Sequence, residues 1–200
     1  MPATELAALL AYTTAMAFTP GPNTTLSAAM AANHGLAHAM RFVLAVPFGW
    51  CLLLLASAAG LGSLVTTLPA LGTAIRVAGA AYMLWLAWKL AQRSRAALRE
   101  TSSRSALDVG FARGVALQFV NGKAWINALT IAGTWVAVEG QVALRLAWVL
   151  PIAAAYGFAS NLTYAVVGAG LRRWLAQGDR LLWFNRAMAF VLAVTALWMV

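Results

Sequence analysis

The residue that most needs a chemical explanation is Lys123. It stands inside the apolar run Gly110–Val138, about 13 residues from either end, roughly 20 Å along a helix at ~1.5 Å per residue. A cation at that depth in a bilayer costs roughly 2.5–3.5 kcal/mol on insertion scales, so it must face a bundle interior or a wet cavity. A lysine side chain is too short to reach water from the midplane. The acids Glu5, Glu100, Asp108, Glu139 and Asp179 all fall in or near loops, so none pairs with Lys123 at that depth. Two partners remain: the anion of a bound substrate, or backbone carbonyls freed where another helix breaks.

The chain holds such a break. Thr19-Pro20-Gly21-Pro22-Asn23 falls near the centre of the first apolar run, Glu5–Ala32. Proline lacks an N–H and clashes with the preceding turn. Pro20 and Pro22, with Gly21 between them, therefore open the helix and leave the carbonyls near Phe18 and Thr19 in need of partners. A substrate ammonium or a water meets that need. Below the break, Asn23, Thr24 and Thr25 offer capping side chains to a restarted helix. Its N-terminus carries partial positive charge, which suits a carboxylate. The alternative is a kink that only shapes packing, although P-G-P-N is denser than a kink requires. The fourth run is interrupted in its turn by Asn121-Gly122-Lys123, where Asn121 caps or lines the break. Interrupted spans at corresponding places in two halves point to a transporter site at the midplane. Asn161 and Tyr164 lie in the fifth run, where buried amides also serve merely to join helices. The candidate substrate-binding residues are thus Pro20, Gly21, Pro22, Asn23, Thr24, Asn121, Lys123, Asn161 and Tyr164.

Other polar residues read more simply. His34 and His38 are four apart on one helix face, a metal-type spacing, but no third ligand is nearby and no metal is expected. Arg76 reads as an outer-interface residue. Cys51 is the lone cysteine, which excludes an internal disulfide and C-x-x-C redox chemistry.

These residues must be held by membrane helices. The chain is 62% hydrophobic and 10% charged, with mean hydropathy +0.78, against about 25% charged in soluble domains. There is too little polar side chain to cover a water-facing surface. Six runs approach or exceed the roughly 20 residues that cross a bilayer: Glu5–Ala32, Met40–Val65, Thr73–Leu90, Gly110–Val138, Leu144–Leu171 and Leu181–Val200. Period-2 alternation is absent, which argues against a transmembrane barrel. The N-terminus lacks a basic region, so the first run is expected to remain as a helix rather than be cleaved.

The net charge of +9 and pI of 11.1 read as topology, not as nucleic-acid binding. All but three of the 14 Lys and Arg fall on one side if the loop after the third run is cytoplasmic; the exceptions are Arg76, Lys123 and Arg145. Short basic loops stay in the cytoplasm, so both termini are expected outside. Trp85, Trp88, Trp174 and Trp183 read as anchors at the inner interface.

Three spans per half means that related halves must be inverted with respect to each other. Each half opens with an interrupted span, continues with a Gly/Ala-rich one, Gly49 to Gly62 and Gly157 to Gly170, and ends with one carrying an early arginine, Arg76 and Arg186. The fold expected is an all-α integral membrane protein of six transmembrane helices in two inverted three-helix repeats, with helices 1 and 4 broken. The repeats are residues 1–91 and 110–200, joined by a basic cytoplasmic linker at 92–109.

Three runs carry a resemblance. Phe18-Thr19-Pro20-Gly21-Pro22-Asn23, Gly79-Ala80-Ala81-Tyr82-Met83-Leu84-Trp85-Leu86-Ala87 and Leu117-Gln118-Phe119-Val120-Asn121-Gly122-Lys123 resemble the LysE/RhtB family of amino-acid exporters, closest to its cysteine/O-acetylserine branch. The likeness runs over essentially the whole chain. It implies six helices in inverted repeats, a bacterial inner membrane, export of amino acids or derivatives coupled to the proton gradient, and no cofactor. Two positions depart from the family pattern: Gly122 replaces a frequent proline, and Trp50 follows Gly49 where many members have an acid. Without that acid the proton-carrying residue is unidentified and dibasic substrates are disfavoured. Neutral substrates such as cysteine, O-acetylserine, threonine or homoserine are expected. The expected partners are that small molecule and the lipid bilayer; a homodimer is compatible with the sequence. A membrane enzyme lacks the His, Asp or Glu it would need near the span centres. A passive channel and a non-transport assembly subunit remain as alternatives.

Overall fold

The computed structural model describes residues 1–61, 67–92 and 109–198, so most of the expected linker lies outside the described residues. All regular structure among the described residues is helical. We number the helices α1 (Ala3–Phe18), α2 (Pro22–His34), α3 (Leu36–Ala56), α4 (Pro69–Ala91), α5 (Phe111–Val120), α6 (Gly122–Ile131), α7 (Val142–Leu175) and α8 (Arg180–Trp198). Wider π turns extend α3 over Ser57–Leu61 and α6 over Ala132–Val136.

Four helices are long and apolar enough to cross a membrane: Leu36–Gly60, α4, α7 and α8. At 34 residues, α7 is about 51 Å long, well beyond a ~30 Å hydrocarbon core, and carries Arg172 and Arg173 in its last turn. The first and fourth apolar runs are not continuous helices. Each is a pair of short ones, α1 with α2 and α5 with α6, broken at the residues the sequence singles out.

The local causes are plain. Thr19 precedes a proline and is pushed to extended geometry, φ −65° and ψ 126°. Gly21 is extended too, and Pro22 takes the first helical position of α2, where its missing N–H would be unpaired anyway. At the second break Asn121 is extended, and its side chain accepts from the Lys123 backbone N–H at 3.1 Å, capping α6.

The apolar core forms two main clusters, one at each end of the bundle. At one end α1 and α6 meet the C-terminal half of α3 through Leu9, Trp125, Ile131, Trp50 and Leu53. At the other, α2 and α5 meet the N-terminal half of α3 and the far end of α4 through Leu26, Met30, Leu117, Phe42 and Leu86. The two breaks therefore lie at one level, between the clusters. In lipid, helices associate through close packing of small residues rather than hydrophobic drive. A Cβ at Gly168 of α7 would stand 2.2 Å from the Ala28 carbonyl of α2. One at Gly79 of α4 would stand 1.8 Å from the Val120 carbonyl, beside the second break. Trp85, Trp88, Trp174 and Trp183 are exposed on the outer surface, with Lys89, Arg180 and Arg186 lying over their rings.

Candidate functional site

The last three carbonyls of α1 and its cap have lost their helical partners to the break. Each is met by a donor from another helix. Ser160 Oγ donates to Ala17 O at 2.6 Å, Tyr164 Oη to Phe18 O at 2.9 Å, and Lys123 Nζ to Thr19 O at 2.7 Å. The lysine thus answers to the second of its two sequence-level readings: it reaches the carbonyls of the other break. An ammonium has three donors, and this bond uses one. The side chain lies over Gly21, where a Cβ would stand 3.2 Å from Lys123 Cδ and 3.3 Å from Nζ. The glycine is the clearance that lets the cation approach.

Restart of the helix differs in detail from expectation. The cap position is Gly21, which has no side chain, and Thr24 reaches back so that its Oγ1 accepts from the Gly21 N–H at 3.0 Å. Asn23 does not cap. Its amide forms a reciprocal pair with Gln118 of α5: Asn23 Nδ2 to Gln118 Oε1 at 2.8 Å, and Gln118 Nε2 to Asn23 Oδ1 at 3.2 Å. Pro22 removes one donor of the first turn, and the backbone amides of Asn23 and Thr24 lead the helix toward the break.

All the expected site residues except Pro20 and Tyr164 line one cavity of about 80 Å³ at the level of the breaks. Pro20 is exposed, and Tyr164 acts from α7 through the Phe18 carbonyl. Asn161 both lines the cavity and joins helices, accepting from Ser27 Oγ at 2.9 Å and donating to Gly157 O at 2.8 Å. The remaining wall comes from α1, α3, α6 and α7, including Thr13, Trp50, Asn127 and Gly157.

Sequence reasoning passed over a ladder of polar ties along α2. Asn23 holds Gln118 of α5, Ser27 holds Asn161 of α7, and Asn33 makes a reciprocal pair with Asn185 of α8 at 2.8 and 3.2 Å. Gln118, Ser27 and Asn185 are fully buried. The signal was the presence of amides and hydroxyls inside apolar runs. At the opposite end Glu5 of α1 pairs with Arg145 of α7, and Trp135 Nε1 donates to the Glu5 carbonyl. His34 and His38 place their rings 4.8 Å apart. No group of three or more possible metal ligands occurs among the described residues.

An all-helical bundle with several bilayer-length helices, two broken helices meeting at one level and a small, mostly apolar cavity between them that carries a lysine and several amides fits a membrane transporter. The comparisons with known proteins agree. The profile described as LysE type translocator matches residues 14–200. The chain belongs to that family, and it is a translocator, not an enzyme. It is 34% identical over 195 residues to the cysteine/O-acetylserine efflux protein of Klebsiella pneumoniae subsp. pneumoniae, covering 97% of each chain. It is 32% identical over 199 residues to the protein of the same name in Escherichia coli K12, covering 98% of this chain and 97% of that one. A Shigella flexneri protein of that name is 32% identical over 194 residues, 96% of this chain and 95% of the relative. No solved structure matches the chain significantly.

Proposed function

We propose that this protein is a secondary active exporter of small neutral amino acids or their derivatives, of the cysteine/O-acetylserine kind, in a bacterial inner membrane. The observation that carries the reading is the Lys123 ammonium, held over Gly21 at the meeting of the two breaks, beside a cavity large enough for a small solute. A substrate carboxylate takes the two remaining donors of Lys123 together with the first-turn amides of α2. The substrate ammonium takes second lone pairs of the Phe18 and Thr19 carbonyls. No carboxylate lines the cavity among the described residues, which is why a second substrate cation is disfavoured there.

Six spans in two inverted repeats fit the packing. The α1–α2 pair packs on α7 as the α5–α6 pair packs on α3, and α4 packs on α8. With both termini outside, the cavity opens on the outer half of the protein, and the ladder along α2 closes the inner half. Rocking of one repeat against the other then carries the substrate across, with the proton gradient as the driving force.

Efflux of radiolabelled cysteine and O-acetylserine from proteoliposomes, with the native chain and Lys123→Ala compared, tests this. Losing a charge-assisted bond of roughly 1.5–3 kcal/mol weakens apparent affinity roughly 10- to 150-fold. Saturable, pH-gradient-driven flux by the native chain and its collapse in the variant are expected. Equal flux in both removes Lys123 from the site, and non-saturable flux makes the protein a channel.

A further inference from the structure

Three polar atoms in the cavity wall have no hydrogen-bond partner among the described residues: Thr13 Oγ1 of α1, Trp50 Nε1 of α3 and Asn127 Oδ1 of α6. The only other such side-chain atom there is Arg145 Nε, at the Glu5 ion pair. Buried polar atoms are nearly always paired. A hydroxyl in an apolar helix normally bonds the carbonyl four residues back, as Thr14 does with Leu10 O at 2.7 Å and Thr163 with Ala159 O at 2.8 Å. Thr13 does not, although it is 4% exposed. Trp50 is 8% exposed, whereas Trp125 and Trp135 both satisfy their indole N–H groups, on Phe119 O and Glu5 O. Three residues that line the same small space, each on a separate helix, thus each carry one unpaired atom.

We propose that Thr13, Trp50 and Asn127 form the subsite that selects the substrate's side chain, favouring one with hydrogen-bonding atoms, an ester carbonyl, hydroxyl or thiol, over a hydrocarbon chain of the same length. The inference rests on the exporter reading above. Lys123, at the start of α6 one turn before Asn127, and the α2 N-terminus take the α-carboxylate. The three atoms lie on the α1, α3 and α6 walls and meet what extends from the α-carbon. The donors suit the chemistry: the Trp50 indole N–H only donates, the Thr13 hydroxyl donates or accepts, and Asn127 Oδ1 accepts. An ester carbonyl takes bonds from Trp50 and Thr13; a hydroxyl or thiol also gives its proton to Asn127. A hydrocarbon chain leaves all three desolvated and unpaired, which is how such sites reject the analogue lacking the polar atom.

The test uses counterflow of labelled cysteine in proteoliposomes, with O-acetylserine and norleucine as unlabelled competitors. Norleucine has a similar chain length and no side-chain polar atom. The native protein is expected to require at least about tenfold less O-acetylserine than norleucine to halve the signal. Thr13→Val, which removes the hydroxyl at nearly constant shape, and Trp50→Phe, which removes the indole N–H together with part of the ring, are each expected to narrow that preference about tenfold, equivalent to roughly 1.4 kcal/mol. Thr13→Ser is expected to restore it. Two independent positions keep the test open should one variant fail to assemble. A preference that stays unchanged in a variant still moving cysteine overturns the subsite and leaves the exporter reading standing. A native protein that moves no amino acid overturns both.

Discussion

The tie between the two broken helices lends itself to a quantitative test. Gln118 is fully buried and its amide meets that of Asn23 through two bonds. Gln118→Leu keeps nearly the same shape but leaves the Asn23 amide without its partner. Side-chain hydrogen bonds between membrane helices average about 0.6 kcal/mol each, so the pair contributes roughly 1.2 kcal/mol. Stranding one half adds a desolvation penalty of about 1–3 kcal/mol. Each single variant, Gln118→Leu or Asn23→Leu, should therefore lose about 2–4 kcal/mol. Gln118 Nε2 also bonds Gly114 O at 3.0 Å, but that loss occurs in the single and the double variant alike and cancels in the cycle. The double variant strands neither amide, so by these figures it should lose less than the sum of the singles by roughly 3 kcal/mol or more. Equilibrium unfolding in detergent micelles measures all four proteins. Strict additivity would show that the two amides do not hold the breaks together.

Other substitutions report on separate contacts. Gly168→Ala places a methyl against the Ala28 carbonyl and should destabilise by about 1–3 kcal/mol, whereas Gly170→Ala, with open space around it, should change the unfolding midpoint little. Glu5→Gln removes the anion facing Arg145 and should lower stability by about 1 kcal/mol at low salt and less at high salt, since Glu5 is partly exposed; a salt-independent loss would argue for packing instead. Tyr164→Phe deletes the donor to Phe18 O and should cost about 0.5–1.5 kcal/mol, visible in the same unfolding assay.

Prolines and a cation in apolar runs have few explanations, so both breaks and Lys123 were legible in the sequence. Which of its two possible partners Lys123 reaches was not, because Thr19 lies 104 residues away and only the packing of the bundle brings the two breaks to one level. The role of Asn23 was misread for a related reason. A cap and an interhelical amide pair use the same side chain, and only the position of Gln118 decides between them. Thr13 and Asn127 went unnoticed, and Trp50 was singled out only for standing where many relatives have an acid, because threonine, asparagine and tryptophan are ordinary in membrane helices. Their significance is what they fail to touch, and that depends on the rotation of each helix about its axis. Span boundaries followed hydropathy to within four residues for both α4 and α7, each helix running past the apolar stretch at both ends.

The polar ladder on α2 also bears on leakage. Its rungs go to three different helices, α5, α7 and α8. Because α2 is a single rigid rod between them, displacing it far enough to break any rung strains the others. On the exporter reading proposed above, such a seal opens as a unit or stays shut, and partial openings that would admit a proton or a stray solute without a completed cycle are suppressed. A carrier that works against a gradient needs that property as much as it needs a binding site. In the exporter proposed above, hydrogen bonds would supply it and re-form at each turnover.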